Sequence, residues 1–209
     1  GNGVPQYTYT GTAPEADLVI VKLLPFPMGG YSDAKIVDGV DYVFRKAQAL
    51  GKPAVGLLAI GKMYGPHDGT DPHDLAISAL TGPGKIVVAA AGNYNGKARH
   101  AEWSTTGSSQ DFDMTMTIGT YSPSATAADH FNVEAWYNSS ANYDVTIIAP
   151  SGETFGPISR GQTTTVFGNS GLVKMYNGQY QSSNGSYRVN LDVYRGSTSL
   201  PVVASGTWT

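Results

Sequence analysis

Three apolar runs of strand length, at residues 16–24 (ADLVIVKLL), 53–60 (PAVGLLAI) and 85–93 (KIVVAAAGN), are separated by two stretches with helical periodicity. This order constrains the fold more than any other feature. A run that is apolar on every residue has no polar face to offer water, so it reads as a parallel strand covered on both sides. Between the runs, residues 32–51 repeat apolar side chains at three- and four-residue steps: Ile36, Val40, Phe44 and Ala47, with Val37, Val43 and Leu50 beside them. Ser32 is placed to cap that helix and Gly51 to stop it. Residues 71–84 offer Asp71 as an N-cap, Pro72 at the first helical position, Ala76, Ile77 and Leu80 as an inner face, and Gly82-Pro83 as a terminator. A β-α-β-α-β order calls for parallel strands joined by right-handed crossovers.

From about residue 101 the apolar period shortens to two. Segments 113–120, 131–137, 143–150, 162–168, 172–178 and 186–194 alternate in this way, with turn clusters such as 149–157 and 182–186 between them. Such spacing predicts an antiparallel sandwich of jelly-roll type, with Phe131, Trp136, Tyr143 and Ile147 in its core. The expected fold class is therefore α/β plus all-β: a partial parallel layer over residues 1–100 and an antiparallel β-sandwich over residues 101–209.

Composition narrows the chemistry. Only 14% of the residues are charged and the net charge is −3, with no basic run longer than Arg45-Lys46, so a nucleic-acid partner has no electrostatic support. With no cysteine, thiolate metal sites and disulfides are ruled out. No apolar segment approaches the roughly 18 residues needed to span a bilayer. Asp68, Asp71 and Asp74 lie close in sequence but lack the spacing and glycine of a calcium loop, so neither a metal nor a cofactor is expected. By itself, Asn93 at the end of the third run is either a turn residue, tolerant of unusual backbone angles, or a donor aimed at a reacting group.

Residues 11–22 (GTAPEADLVIVK), 32–55 and 64–93 (YGPHDGTDPHDLAISALTGPGKIVVAAAGN) resemble, in order, a segment of the subtilisin-like serine proteases. The resemblance covers most of residues 1–93, and members with a β-sandwich inserted after this asparagine are a variant of the family. SGTWT at 205–209 resembles a late strand of such an insert. The resemblance implies that Asn93 occupies the oxyanion-hole position and donates its side-chain N–H to the tetrahedral intermediate. It also implies that the segments at 23–31 and 56–63 border the substrate cleft. On that reading Phe26, Met28, Leu57, Ala59, Gly61 and Met63 form the peptide- or protein-binding side.

The family's Asp, His and Ser motifs do not occur: there is no His-Gly-Thr-His and no Gly-Thr-Ser followed by a small residue. TGSSQ (106–110) and FGNSG (167–171) read as loops of the β-rich half, and His67, His73, His100 and His130 as surface or structural histidines. Three functions are therefore expected to compete. The first is a non-catalytic subtilase-derived subdomain, engineered or excised as a scaffold or binding module from a secreted serine endopeptidase. In the second the chain is one part of a genuine endopeptidase whose Asp, His and Ser lie outside it. The third is a carbohydrate- or protein-binding β-sandwich, which would present Tyr176, Tyr180 and Tyr187 on one face.

Overall fold

The computed structural model describes residues 3–5, 8–23, 31–104, 110–126, 129–179, 185–195 and 197–209. The chain divides into two compact units. One comprises Gly1–Gly61 and His73–Gly92, the other Lys62–Pro72 and Asn93–Thr209.

In the first unit, helix α1 (Asp33–Ala49) starts where the sequence indicates. Ser32 is its N-cap, its hydroxyl accepting the Lys35 N–H at 3.4 Å. The helix ends in a turn at Leu50, and Gly51 follows with φ +65°, a left-handed angle that favours glycine. Val40, Phe44 and Ala47 form the buried stripe, spaced by four and three residues. Strand β1 (Ala54–Leu58) leads through α2 (Pro72–Leu80) to β2 (Lys85–Ala89). β1 and β2 pair in parallel from Ala54 opposite Lys85 to Leu58 opposite Ala89, as expected of a βαβ unit. The ladder continues one step, with the Ala90 N–H donating to the Leu58 carbonyl at 3.0 Å.

The run at 16–24 departs from its expected form. Its described part, 16–23, forms neither helix nor strand, and Leu18 and Ile20 are each 82% exposed. Only its end packs on α1: a Cβ on Gly39 would sit 3.4 Å from Val21 Cγ1 and 3.7 Å from Leu23 Cδ2. The residue pattern is that of a buried strand, but β1 and β2 pair only with each other among the described strands. A strand needs a hydrogen-bonding neighbour as well as an apolar sequence.

The second unit is antiparallel throughout. Strands β4 (His130–Tyr137), β9 (Tyr187–Tyr194), β8 (Gly171–Gln179) and β7 (Gln162–Gly168) form a four-stranded sheet in that spatial order. β5 (Val145–Ile148) pairs with β6 (Thr154–Ile158), and β3 (Met116–Ile118) pairs with β10 (Gly206–Trp208). Ile148 and Thr209 exchange backbone hydrogen bonds of 2.7 and 3.0 Å, which join the two small pairs edge to edge. The core lies where Val173, Met175 and Val193 of the large sheet meet Ile147, Phe155, Ile158, Val203 and Trp208. Of the expected core aromatics, Phe131 packs edge-to-face on Trp208 at 5.3 Å, while Trp136 and Tyr143 are half-buried. β6 begins inside the stretch expected to be a turn, 149–157, and runs one residue past it. Gly156 and Pro157 disguise it, and proline is tolerated because β6 is an edge strand with β5 as its ladder partner. The overall class is mixed α/β with mostly antiparallel sheets.

Candidate functional site

The expected site residues fall on the end of the βαβ unit and on the segment that follows β1. Leu57 faces out of β1 at 72% exposure, opposite Val88 at 47%; Val55 and Ile86, two pairs earlier, are 63% and 55% exposed. These four side chains make a contiguous aliphatic face on a parallel strand pair, an element that ordinarily has both faces covered. Ala59 and Gly61 continue from the strand end, both exposed, and a Cβ on Gly61 would meet nothing within 4 Å. Met63 is 46% exposed and belongs to the other unit. Phe26 and Met28 lie outside the described residues.

Asn93 follows β2 after Ala90, Ala91 and Gly92, and Gly92 has φ +89°. It is exposed and lies in a bend, beyond the carboxyl end of a parallel strand. Loops at that end of an open α/β sheet are the ones that meet ligands.

Two of the four histidines have polar partners within the protein. His67 has φ +56° and places Nε2 3.0 Å from the Met63 carbonyl. His73 Nε2 lies 3.0 Å from Asp74 Oδ1, and Nδ1 lies 3.7 Å from Asp33 Oδ2. His100 and His130 are exposed. Of the serines in the two quoted loops, Ser170 is 2% exposed and its hydroxyl lies 3.0 Å from that of Ser151, which places it in a packed turn. The turn is held by Glu153, whose two carboxylate oxygens accept the Asn169 and Ser170 N–H groups. Of TGSSQ, residues 106–109 lie outside the described residues, as does Tyr180. Tyr187 stacks on Tyr137 at 5.6 Å and carries the Arg160 guanidinium 4.1 Å from its ring centroid, while Tyr176 has Arg188 at 5.6 Å.

Sequence reasoning missed two polar positions in the β-rich unit. Asn177 is fully buried: its amide donates to the Tyr143 and Ile158 carbonyls at 2.8 and 3.5 Å, and its oxygen accepts the Tyr137 hydroxyl at 2.6 Å. Burial raises the Tyr137 pKa above its ordinary value, outweighing the opposing pull of Arg160. Glu134 on β4 accepts the Gly65 N–H at 3.0 Å through one oxygen and the Arg188 Nη1 at 3.1 Å through the other. Neither was legible, because both depend on strand register. An asparagine inside the apolar alternation of β8 was the one available signal.

A parallel βαβ unit whose second strand runs into small residues and an asparagine, followed by an antiparallel unit, makes this an α/β chain with mostly antiparallel sheets. A profile of the subtilase family matches residues 1–189, and the chain belongs to that family. Among solved structures it is similar to the Clostridium perfringens CspB protease, with a TM-score of 0.69 and 18% identity; the likeness covers 87% of this chain. The chain spans 37% of the length of that protein. Comparison with curated protein sequences finds no match.

Proposed function

We propose that the chain is the middle portion of a subtilisin-like serine endopeptidase, carrying its oxyanion asparagine and, after it, an inserted antiparallel β-sandwich of jelly-roll type. On this reading it is non-catalytic by itself, and the Asp, His and Ser are supplied by polypeptide outside it. The observation that carries the reading is the bare face of Val55, Leu57, Ile86 and Val88. Side chains introduced to patch an excised scaffold would pack against the protein. Leu57 and Ala59 instead face solvent at the site where the family resemblance puts the substrate cleft. The protein or peptide partner is thus, first, the rest of the protease and, through it, an extended peptide substrate. Extracellular placement is proposed by analogy with secreted subtilases.

The role of Asn93 follows from electrostatics. A carboxamide N–H fixed at the end of the strand stabilises negative charge that develops on the carbonyl oxygen only during reaction. A hydroxyl without an adjacent base is a weak nucleophile, so the donor alone does not hydrolyse a peptide. The test is fluorophosphonate labelling. The isolated chain takes no label, whereas co-expression with polypeptides bearing the Asp, His and Ser motifs yields a labelled, casein-cleaving assembly. In that assembly Asn93→Ala lowers turnover by roughly 10²–10³. Stoichiometric labelling of one serine in the isolated chain, or an assembly indifferent to Asn93→Ala, refutes the proposal.

A further inference from the structure

The segment Lys62–Pro72 lies between β1 and α2 in sequence, yet it belongs to the β-rich unit. Its own bonds give it a defined shape. Lys62 Nζ pairs with Asp71 Oδ2 at 3.2 Å across its two ends, and Asp71 is 5% exposed. The Asp68 carboxylate accepts the Thr70 N–H at 3.0 Å and its hydroxyl at 2.6 Å. At the centre, Gly65 is buried with φ +110°, and a Cβ there would lie 2.5 Å from Asp71 Oδ2. Both the angle and the space require glycine.

That glycine's N–H is the group Glu134 holds. The carboxylate is oriented from behind by Arg188 on the neighbouring strand β9, and its side chain is only 10% exposed. A partly buried carboxylate taking a backbone N–H on one oxygen and a guanidinium on the other makes two charge-assisted bonds, stronger than neutral ones. Nothing in β4 needs a carboxylate for its own pairing; the ladder with β9 is made by the backbone.

We propose that Glu134 is a positioning residue: through the Gly65 N–H it makes the inserted β-rich unit set the conformation of the loop that follows β1. The insert is then a shaping element for a loop on the substrate side of the protease, not a passive appendage. Calling the loop substrate-side rests on the function proposed above; the clamp does not. Glu134 touches no reacting atom in this scheme. It acts through Gly65, and Arg188 acts through Glu134.

The experiment is residue-resolved amide hydrogen exchange on the chain as it stands, which reads the clamp whether or not the protease reading holds. Glu134→Ala should speed exchange at Gly65 by about 10- to 100-fold, the fold-change a hydrogen bond to a charged group accounts for. Amides of β7, β8 and β9 should keep their protection. Unchanged exchange at Gly65 overturns the proposal. If protection falls uniformly across the sheet, Gly65→Ala decides the matter, since it disturbs the contact from the loop side. It should deprotect residues 62–72 and leave β4, β8 and β9 as they were. If the loop stays protected in Gly65→Ala, the proposal fails.

Discussion

Replacing Leu57 and Val88 together by lysine is the sharpest perturbation the structure offers, because its effect should be small in one setting and large in another. In the isolated chain Leu57 is 72% and Val88 47% exposed, and the two are cross-strand partners. Surface substitutions away from special features change stability by about 0.5 kcal/mol or less, and two lysines directly opposite add a small repulsion. The double variant should therefore unfold in urea within about 1 kcal/mol of the parent. The bare fractions of Val55, Leu57, Ile86 and Val88 together amount to a little more than two whole aliphatic side chains. Covering them is worth roughly 4–7 kcal/mol at the usual 1.5–3 kcal/mol per side chain, before the cost of association. The lysines remove about half of that and add the desolvation of two ammonium groups, so docking of the complementary protease segments should be lost. Urea unfolding followed by circular dichroism checks the first half; sedimentation of the co-expressed segments checks the second. Destabilisation of the isolated chain by more than about 2 kcal/mol would refute the reasoning, because it would mean that Leu57 is already covered in solution.

Two further outcomes concern the β-rich unit. Asn177→Leu strands the Tyr137 hydroxyl and the Tyr143 and Ile158 carbonyls, and should cost roughly 2–4 kcal/mol in chemical denaturation; a change below about 0.5 kcal/mol would contradict the buried network. Tyr121 and Tyr137 both have pKa values raised, first by burial, above their unfolded value near 10. The folded state therefore holds these protons more tightly, so their contribution is complete below about pH 10 and is lost as pH rises through the folded-state values. Stability measured between about pH 9 and pH 12 should fall less steeply in Tyr137→Phe than in the parent.

Legibility in the sequence followed the range of the interactions involved. Helix α1 could be read in full because its stripe, its Ser32 cap and its Gly51 stop are all local. The run at 16–24 could not, although its residues are as strand-like as those of β2: pairing is a property of neighbours, and its described part has none. β6 was hidden by Gly156-Pro157, which reads as a turn until the strand's edge position is known. Asn93 was legible as an end-of-strand asparagine, whereas the oxyanion role proposed for it rests on the family resemblance and not on its spacing. Glu134 was beyond reach for a different reason. It stands opposite Asn190 in the ladder and reaches diagonally to Arg188 and outward to Gly65, three residues that no sequence window joins.

The two units differ in how much buried core each one holds. Among the described residues, the first unit's buried apolar side chains are Val40, Phe44 and Ala47, all on α1. Those of the β-rich unit include Phe155, Met175, Trp208 and two valines with no exposure at all. Stability within one chain is not uniform, and elements with few buried contacts open first. The β1–β2 pair, with one face bare, is such an element, whereas the four-stranded sheet is not. On the function proposed above, the β-rich unit, which has its own core, holds the 62–72 loop in shape through Glu134 independently of whatever covers the β1–β2 face. On that proposal the clamp and the bare face belong to one arrangement: the unit with the larger core supplies rigidity to a loop that follows a strand pair with few buried contacts.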